Sequence, residues 1–240
     1  MKTIVVFSGA GLSAESGIPT FRDSGGLWEQ HRIEDVASPE GWSRDKHLVL
    51  NFYRMRFEAQ SKCFPNPAHN AIAALSNEYH VLNITQNIDT LLERAGCYDV
   101  WHLHGRIDFQ KCEHHYSLAF QDDEEFTCSY RSQISKPIQL GDLCPVCGAQ
   151  LRPDVVWFGE PVDMRETELT EAITTADIFI GVGTSAQVYP AASLLPMFGR
   201  TKEKYFIDPH PAYEVLGGFE VLQGSASGMM PALVKKLLKS

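Results

Sequence analysis

No apolar run in these 240 residues approaches the ~18 that a membrane span needs. No membrane partner is therefore expected. The N-terminus lacks a basic stretch leading into an apolar one. Strand-forming residues begin at Thr3, so no cleaved leader is expected. Cysteine is scarce. Six in the whole chain are too few for a disulfide scaffold. A reducing cytoplasm is expected, with any clustered cysteines on a metal. Positive charge is also short: 21 Lys and Arg stand against 30 Asp and Glu, a formal net charge of -9. That argues against a general nucleic-acid surface. Internal repeats are absent, and the acidic run Asp122–Glu125 reads as a solvated loop face. The rest is ordinary globular material, 44% apolar and 21% charged. It suffices for one large domain, or a large domain with a smaller insert.

Short apolar runs at Thr3–Phe7, His80–Thr85, Ile178–Val182 and Lys204–Ile207 read as buried parallel strands. Helical stretches at Pro67–Asn77, Ile88–Arg94, Glu166–Ala176 and Ala191–Phe198 alternate with them. The alternation predicts an α/β fold, a Rossmann-like doubly wound parallel sheet whose ligands bind at the carboxyl ends of the strands. Two stretches break it. One, about Leu27–Cys63, is polar, aromatic and helix-like; the other, about Phe109–Leu151, is irregular and holds four of the six cysteines. The expected division puts 1–27, 64–108 and 152–240 in a Rossmann-like part. A smaller domain takes 28–63 as a helical module and 109–151 as a zinc ribbon.

The first strand runs into Gly9-Ala10-Gly11-Leu12-Ser13. A Gly-x-Gly turn lets the backbone approach a pyrophosphate at a helix N-terminus. The helix expected next is broken at once by Gly17-Ile18-Pro19-Thr20-Phe21-Arg22-Asp23. Gln86-Asn87-Ile88-Asp89, past another strand end, offers amide donors, amide acceptors and a carboxylate; taken alone it equally suits a turn or helix cap. His102 and His104 share one face of an extended segment. His104, beside Gly105, suits general acid–base work; His102 reads as a satisfied, semi-buried residue. Cys144-Pro145-Val146-Cys147 is a knuckle that points two thiolates at one tetrahedral zinc. Cys112 is one partner. Either His115 or Cys128 completes the set, and the four-cysteine set Cys112, Cys128, Cys144 and Cys147 is the one expected. Leu151–Glu160, which ends in Val155-Val156-Trp157-Phe158-Gly159-Glu160, reads as a core strand, or as an apolar slot for an extended peptide. Gly183-Thr184-Ser185 suits phosphate or ribose contacts, or a plain turn.

In this order, these motifs resemble the sirtuin family of NAD-dependent protein-lysine deacylases over essentially the whole chain. The resemblance implies that NAD is consumed, and is no hydride carrier. It implies pyrophosphate contacts from Gly9, Ala10 and Gly11, with Ser13 and Trp28 also in the NAD site. It puts Phe21 and Arg22 on a loop over the nicotinamide and its ribose. Gln86, Asn87, Ile88 and Asp89 hold the nicotinamide. Gly183, Thr184, Ser185, Asp208 and Ala226 meet phosphate, ribose and adenine. At Asp208 the family usually has Asn, so an added negative charge sits near a dianionic ligand. His104 is the implied base. The resemblance implies that the acyl-lysine carbonyl oxygen attacks C1′ of the nicotinamide ribose as nicotinamide leaves, giving an alkylimidate, and that His104 then deprotonates a ribose hydroxyl that closes on it. Val156, Trp157, Phe158 and Gly159 hold the peptide, and the zinc is structural.

Tyr53 and Arg56, three apart on a helix-like stretch, share a face. They resemble the sirtuin branch that removes succinyl and malonyl as well as acetyl groups; a hydroxyl and a guanidinium fork bind a carboxylate. The expected protein is thus a monomeric cytoplasmic deacylase acting on acylated lysine in proteins. Mono-ADP-ribosyl transfer is one alternative and a non-catalytic NAD sensor the other. His104, Asn87 and Asp89 argue against the sensor.

Overall fold

The computed structural model describes residues 1–20, 27–28, 31–115, 128–185 and 191–239; at 27, 28, 191 and 192 the backbone alone is described. In chain order, β1 (Thr3–Ser8) leads into a single helical turn, α1 (Gly11–Ala14). A two-residue pair, β2 (Leu27–Trp28) and β3 (His31–Arg32), precedes α2 (Ile33–Val36), α3 (Pro39–Arg44) and α4 (Lys46–Lys62). Then come α5 (Pro67–Leu75), β4 (His80–Thr85), α6 (Leu91–Ala95) and β5 (Val100–His102). Next are β6 (Gly105–Cys112), β7 (Arg131–Gln133) and β8 (Leu151–Val155). The chain closes with α7 (Glu166–Thr175), β9 (Ile178–Val182), α8 (Ala191–Met197), β10 (Glu203–Asp208), β11 (Glu220–Gln223) and α9 (Ala226–Leu237).

Six strands form one parallel sheet in the order β11-β10-β9-β1-β4-β5. The first three by sequence run one way from β1 and the last three run the other, so the order reverses between β1 and β9. That is the switch point where a doubly wound sheet opens a crevice. The four strands expected from the sequence are all present; β5 and β11 extend the sheet at its two edges.

Alternation along β1 sorts its side chains to two faces. Ile4 and Val6 pack with Ile180 and Ile207 under α5 and α9. Val5 and Phe7 pack with Phe179 and Phe206 under α7 and α8. Both faces are covered, which is why β1 reads as a continuous apolar run. Each large side chain so buried contributes ~1.5–3 kcal/mol.

The second excursion is less irregular than its composition suggests. β7, β6 and β8 form a three-stranded antiparallel sheet reaching from Gly105 to Val155, beyond both ends of 109–151. Its apolar face joins α2–α4 in a third core containing Trp42, Phe52, Tyr53, Ile107, Leu151 and Trp157, with Cys112, Cys128 and Cys144.

Candidate active site

Where β1 and β9 end, their loops pack backbone against backbone. Gly9 N–H donates to Val182 O at 3.1 Å, and Gly11 N–H to Gly183 O at 2.8 Å. A Cβ on Gly9 would lie 2.8 Å from Gly183 O; one on Gly183, at φ +61°, would lie 2.3 Å from Leu12 N. These glycines therefore serve first to let two loops meet, and so to keep their outer edge open to a ligand. That edge is part of a cavity of about 990 Å³. Gly9, Ala10, Gly11, Ser13, Gly183, Thr184, Ser185, Asp208 and Ala226 line it. So do Gln86, Asn87, Ile88, Asp89 and His104, and Tyr53, Arg56, Val156, Trp157, Phe158 and Gly159. The folded chain thus brings together, around one cavity, residues the sequence scatters from position 9 to position 226.

The Gln86–Asp89 loop is fixed by its own polar groups. Asn87 Nδ2 donates to Gly9 O at 3.1 Å and to Ser13 Oγ at 3.2 Å. Ser13 Oγ–H donates to Asp89 Oδ2 at 2.9 Å, and Asp89 Oδ1 accepts from Leu91 N–H at 3.0 Å. Burial holds the Asp89 carboxyl above the usual carboxylate range, against these hydrogen bonds. Gln86 Nε2 donates to Thr184 Oγ1 at 2.8 Å, which ties this loop to the one after β9.

Two residues in this web carry no signal of function in the sequence. His69 and Asn66 read as parts of an ordinary helix start. His69 Nδ1 accepts from Asn66 N–H at 3.2 Å, leaving Nε2 as the N–H that faces Ser13 Oγ at 3.5 Å. Burial lowers His69 to about 4, so the ring is neutral.

His104 Nδ1 lies 3.0 Å from Gln86 O. A carbonyl accepts, so Nδ1 carries the proton and Nε2 is the acceptor. Burial moves His104 below the ordinary histidine range, with the Gln86 hydrogen bond partly opposing. The result is a neutral imidazole held in one tautomer beside the cavity. His102 is different: Nδ1 meets Asn87 O at 2.7 Å and Nε2 meets Glu93 Oε1 at 2.8 Å. Both nitrogens are committed, as expected of a satisfied residue.

After β8 the chain enters Val156–Glu160. Arg152, 5% exposed, grips Glu160 through two hydrogen bonds of 2.7 and 2.8 Å and donates to Val155 O at 2.9 Å. Glu160 Oε2 in turn accepts from Trp157 N–H at 2.8 Å. Its carboxyl is held low by Arg152 in spite of burial. Across the cavity wall, Trp157 Nε1–H donates to Tyr53 Oη at 3.1 Å. Tyr53 and Arg56 both come from α4.

The sulfurs of Cys112, Cys128, Cys144 and Cys147 all lie within 4.8 Å of one another. The gathered set takes Cys128 and not His115. Tetrahedral zinc with ~2.3 Å bonds fits four sulfurs so spaced. Burial raises the Cys112 thiol. At Cys144 burial works the same way, but the amides of Cys147 and Val146 donate to the sulfur and bring it down to about 7. A sulfur poised to become a thiolate suits a metal ligand. Phe21, Arg22, the Trp28 side chain and Asp122–Glu125 lie outside the described residues.

The model of the Sir2 family matches residues 9–190. A protein from Helicobacter pylori called NAD-dependent protein deacylase is 46% identical over 209 residues, 87% of this chain and 83% of that protein. Its counterpart in a second strain is 42% identical over 240 residues, 100% of this chain and 99% of that one. A solved complex of a Sir2 homologue with NAD superposes with a TM-score of 0.84 at 35% identity, covering 99% of this chain and 90% of that one. The family model spans both strand-end loops, His104 and all four gathered cysteines. The chain belongs to the Sir2 family.

Proposed function

We propose that the protein removes acyl groups from lysine side chains of proteins at the expense of NAD, giving nicotinamide, O-acyl-ADP-ribose and free lysine. One observation carries the reading. A single cavity joins the paired glycine loops, a neutral His104 and a Tyr53–Arg56 pair. The two Helicobacter pylori relatives named NAD-dependent protein deacylase support it, matched over 83% and 99% of their own length. When bound, NAD supplies an ADP-ribosyl group activated at its nicotinamide bond. Gly9, Ala10, Gly11 and Ser13 hold its pyrophosphate side, and Gly183, Thr184, Ser185, Asp208 and Ala226 its ribose and adenine side. Gln86, Asn87, Ile88 and Asp89 hold the nicotinamide, and the family resemblance adds Phe21, Arg22 and Trp28 to the NAD site. His104 Nε2 accepts a proton from a substrate hydroxyl, while Gln86 O retains the proton on Nδ1. Val156, Trp157, Phe158 and Gly159 seat the peptide, and Tyr53 with Arg56 binds the carboxylate of succinyl or malonyl groups.

The small domain, 28–63 with 109–151, is part of this reading. Most of the third core, Trp42, Phe52, Tyr53, Cys112, Cys128 and Cys144 among it, comes from these residues and supports the division, while Ile107, Val155 and Trp157 join it from the other part. We further take the protein to be a monomer that binds no nucleic acid. Its place is the cytoplasm, where clustered thiols stay reduced. No helix among the described residues is long and apolar enough to cross a membrane. The test is a mass-spectrometric panel of acetyl-, malonyl- and succinyl-lysine peptides with NAD. Acyl-ADP-ribose should form from all three. Label transferred to protein in its place would support ADP-ribosyl transfer instead.

A further inference from the structure

The contact between Trp157 and Tyr53 has no part in the chemistry above. It joins residues 104 positions apart, each almost wholly buried, and both line the cavity. An indole N–H can only donate. At 3.1 Å it occupies a lone pair of Tyr53 Oη, so the phenolic O–H must look for its acceptor elsewhere. Burial raises the Tyr53 hydroxyl to about 12, and it keeps that proton at neutral pH.

Trp157 cannot swing away from this contact. The Arg152 guanidinium carbon lies 3.3 Å from its ring centroid, and the Trp42 ring lies 5.5 Å away at 40°. Its backbone N–H is held by Glu160, which Arg152 grips in turn. Tyr53 also packs against the Phe52 ring, with centroids 5.1 Å apart and planes at 88°. The donor and the phenol it addresses are therefore both rigid.

We infer that Trp157 is a positioning residue for acyl selection: its indole N–H turns the Tyr53 hydroxyl so that the O–H faces the carboxylate of a dicarboxylic acyl group. This rests on the reading of Tyr53 and Arg56 as the carboxylate site. A hydroxyl whose lone pair is not engaged rotates, and spends part of its time turned away from the ligand. An acetyl group carries no carboxylate, so the device bears on the choice between acyl groups.

Trp157→Phe keeps an aromatic ring and removes the donor. Its succinyl-to-acetyl ratio of kcat/KM should fall about five- to tenfold, the size of one hydrogen bond, through KM more than kcat. Tyr53→Phe should lower the ratio as well. Adding Trp157→Phe to Tyr53→Phe should then change it by less than about twofold, because the hydroxyl through which the indole acts is gone. An unchanged ratio in Trp157→Phe, or a second full drop in the double variant, overturns the inference. If Trp157→Phe does not fold, Arg152→Lys removes the planar group held against the indole and reads the same ratio, with the same two outcomes. A wild-type protein without desuccinylase activity defeats the carboxylate reading and this inference together. An active wild type with an unmoved ratio defeats the inference alone.

Discussion

As the proposed base, His104 should set the acidic side of the reaction. A base must be unprotonated, and burial makes this imidazole harder to protonate than a free one. Activity is therefore present above its lowered pKa and lost as pH falls through it. The acidic limb of kcat/KM should lie below the ordinary histidine value of about 6.5. A limb at or above that value would show that another group carries the proton. Arg56 acts on a different quantity. With a carboxylate to bind, Arg56→Met should cut desuccinylation by at least about tenfold while deacetylation falls much less, since a charged hydrogen bond is lost for one substrate alone. Equal losses on both substrates would remove Arg56 from acyl recognition. Both residues could be singled out from their types and spacing, and both line the cavity. The approach of His69 to Ser13 could not, because the two lie 56 residues apart in the chain.

Elements decide how these residues meet, and here the sequence was legible unevenly. Long apolar strands between turn residues announced themselves. Three-residue β5 did not, because Val100-Trp101-His102 is too short to show a pattern. β11 carries Glu220 at one end and Gln223 at the other, and α9 contains Gly228 and Pro231, all of them poor signals of regular structure. α6 begins at Leu91 and not at Ile88, since Gln86–Asp89 is held as a loop by Ser13, Gly9 and Thr184. Those are tertiary contacts, and no local pattern reports them. The start of α5 shows what they are worth. Asn66 caps it by accepting from Ala68 N–H at 2.9 Å, while its Nδ2 donates to Leu12 O at 2.8 Å and Ser16 Oγ at 3.1 Å. One side chain thus fastens a helix to the glycine loop. Asn66→Ala should cost about 1 kcal/mol of stability as a lost cap. It should also weaken NAD binding measured by calorimetry. A stability loss with unchanged NAD affinity would confine Asn66 to the helix.

At the scale of the whole molecule, the parallel sheet and the small domain depend differently on the cysteines. Cys112 lies on β6 and is followed by Glu113, whose carboxylate accepts from Trp42 Nε1–H at 2.9 Å and Gln150 N–H at 3.0 Å and pairs with Lys46. Trp42 packs on Trp157, and Trp157 holds Tyr53. The cysteine cluster is thereby continuous with the Tyr53 end of the cavity, although no cysteine among the described residues lines that cavity. The two large cores of the parallel sheet contain none of the four gathered cysteines. Zinc should be present at one per chain by elemental analysis. Cys144→Ser, or a strong chelator, should lower the thermal midpoint by at least about 5 °C and deacylase activity by at least about tenfold. Amide exchange should quicken across 105–155 while β1 and β4 stay protected, since their cores do not draw on the cluster. Added zinc should restore the chelated protein but not the variant. Exchange that quickened equally in β1 and β4 would show that the two parts fold as one unit. Full activity without zinc would cut the link from Cys112 through Glu113 and Trp42 to Tyr53.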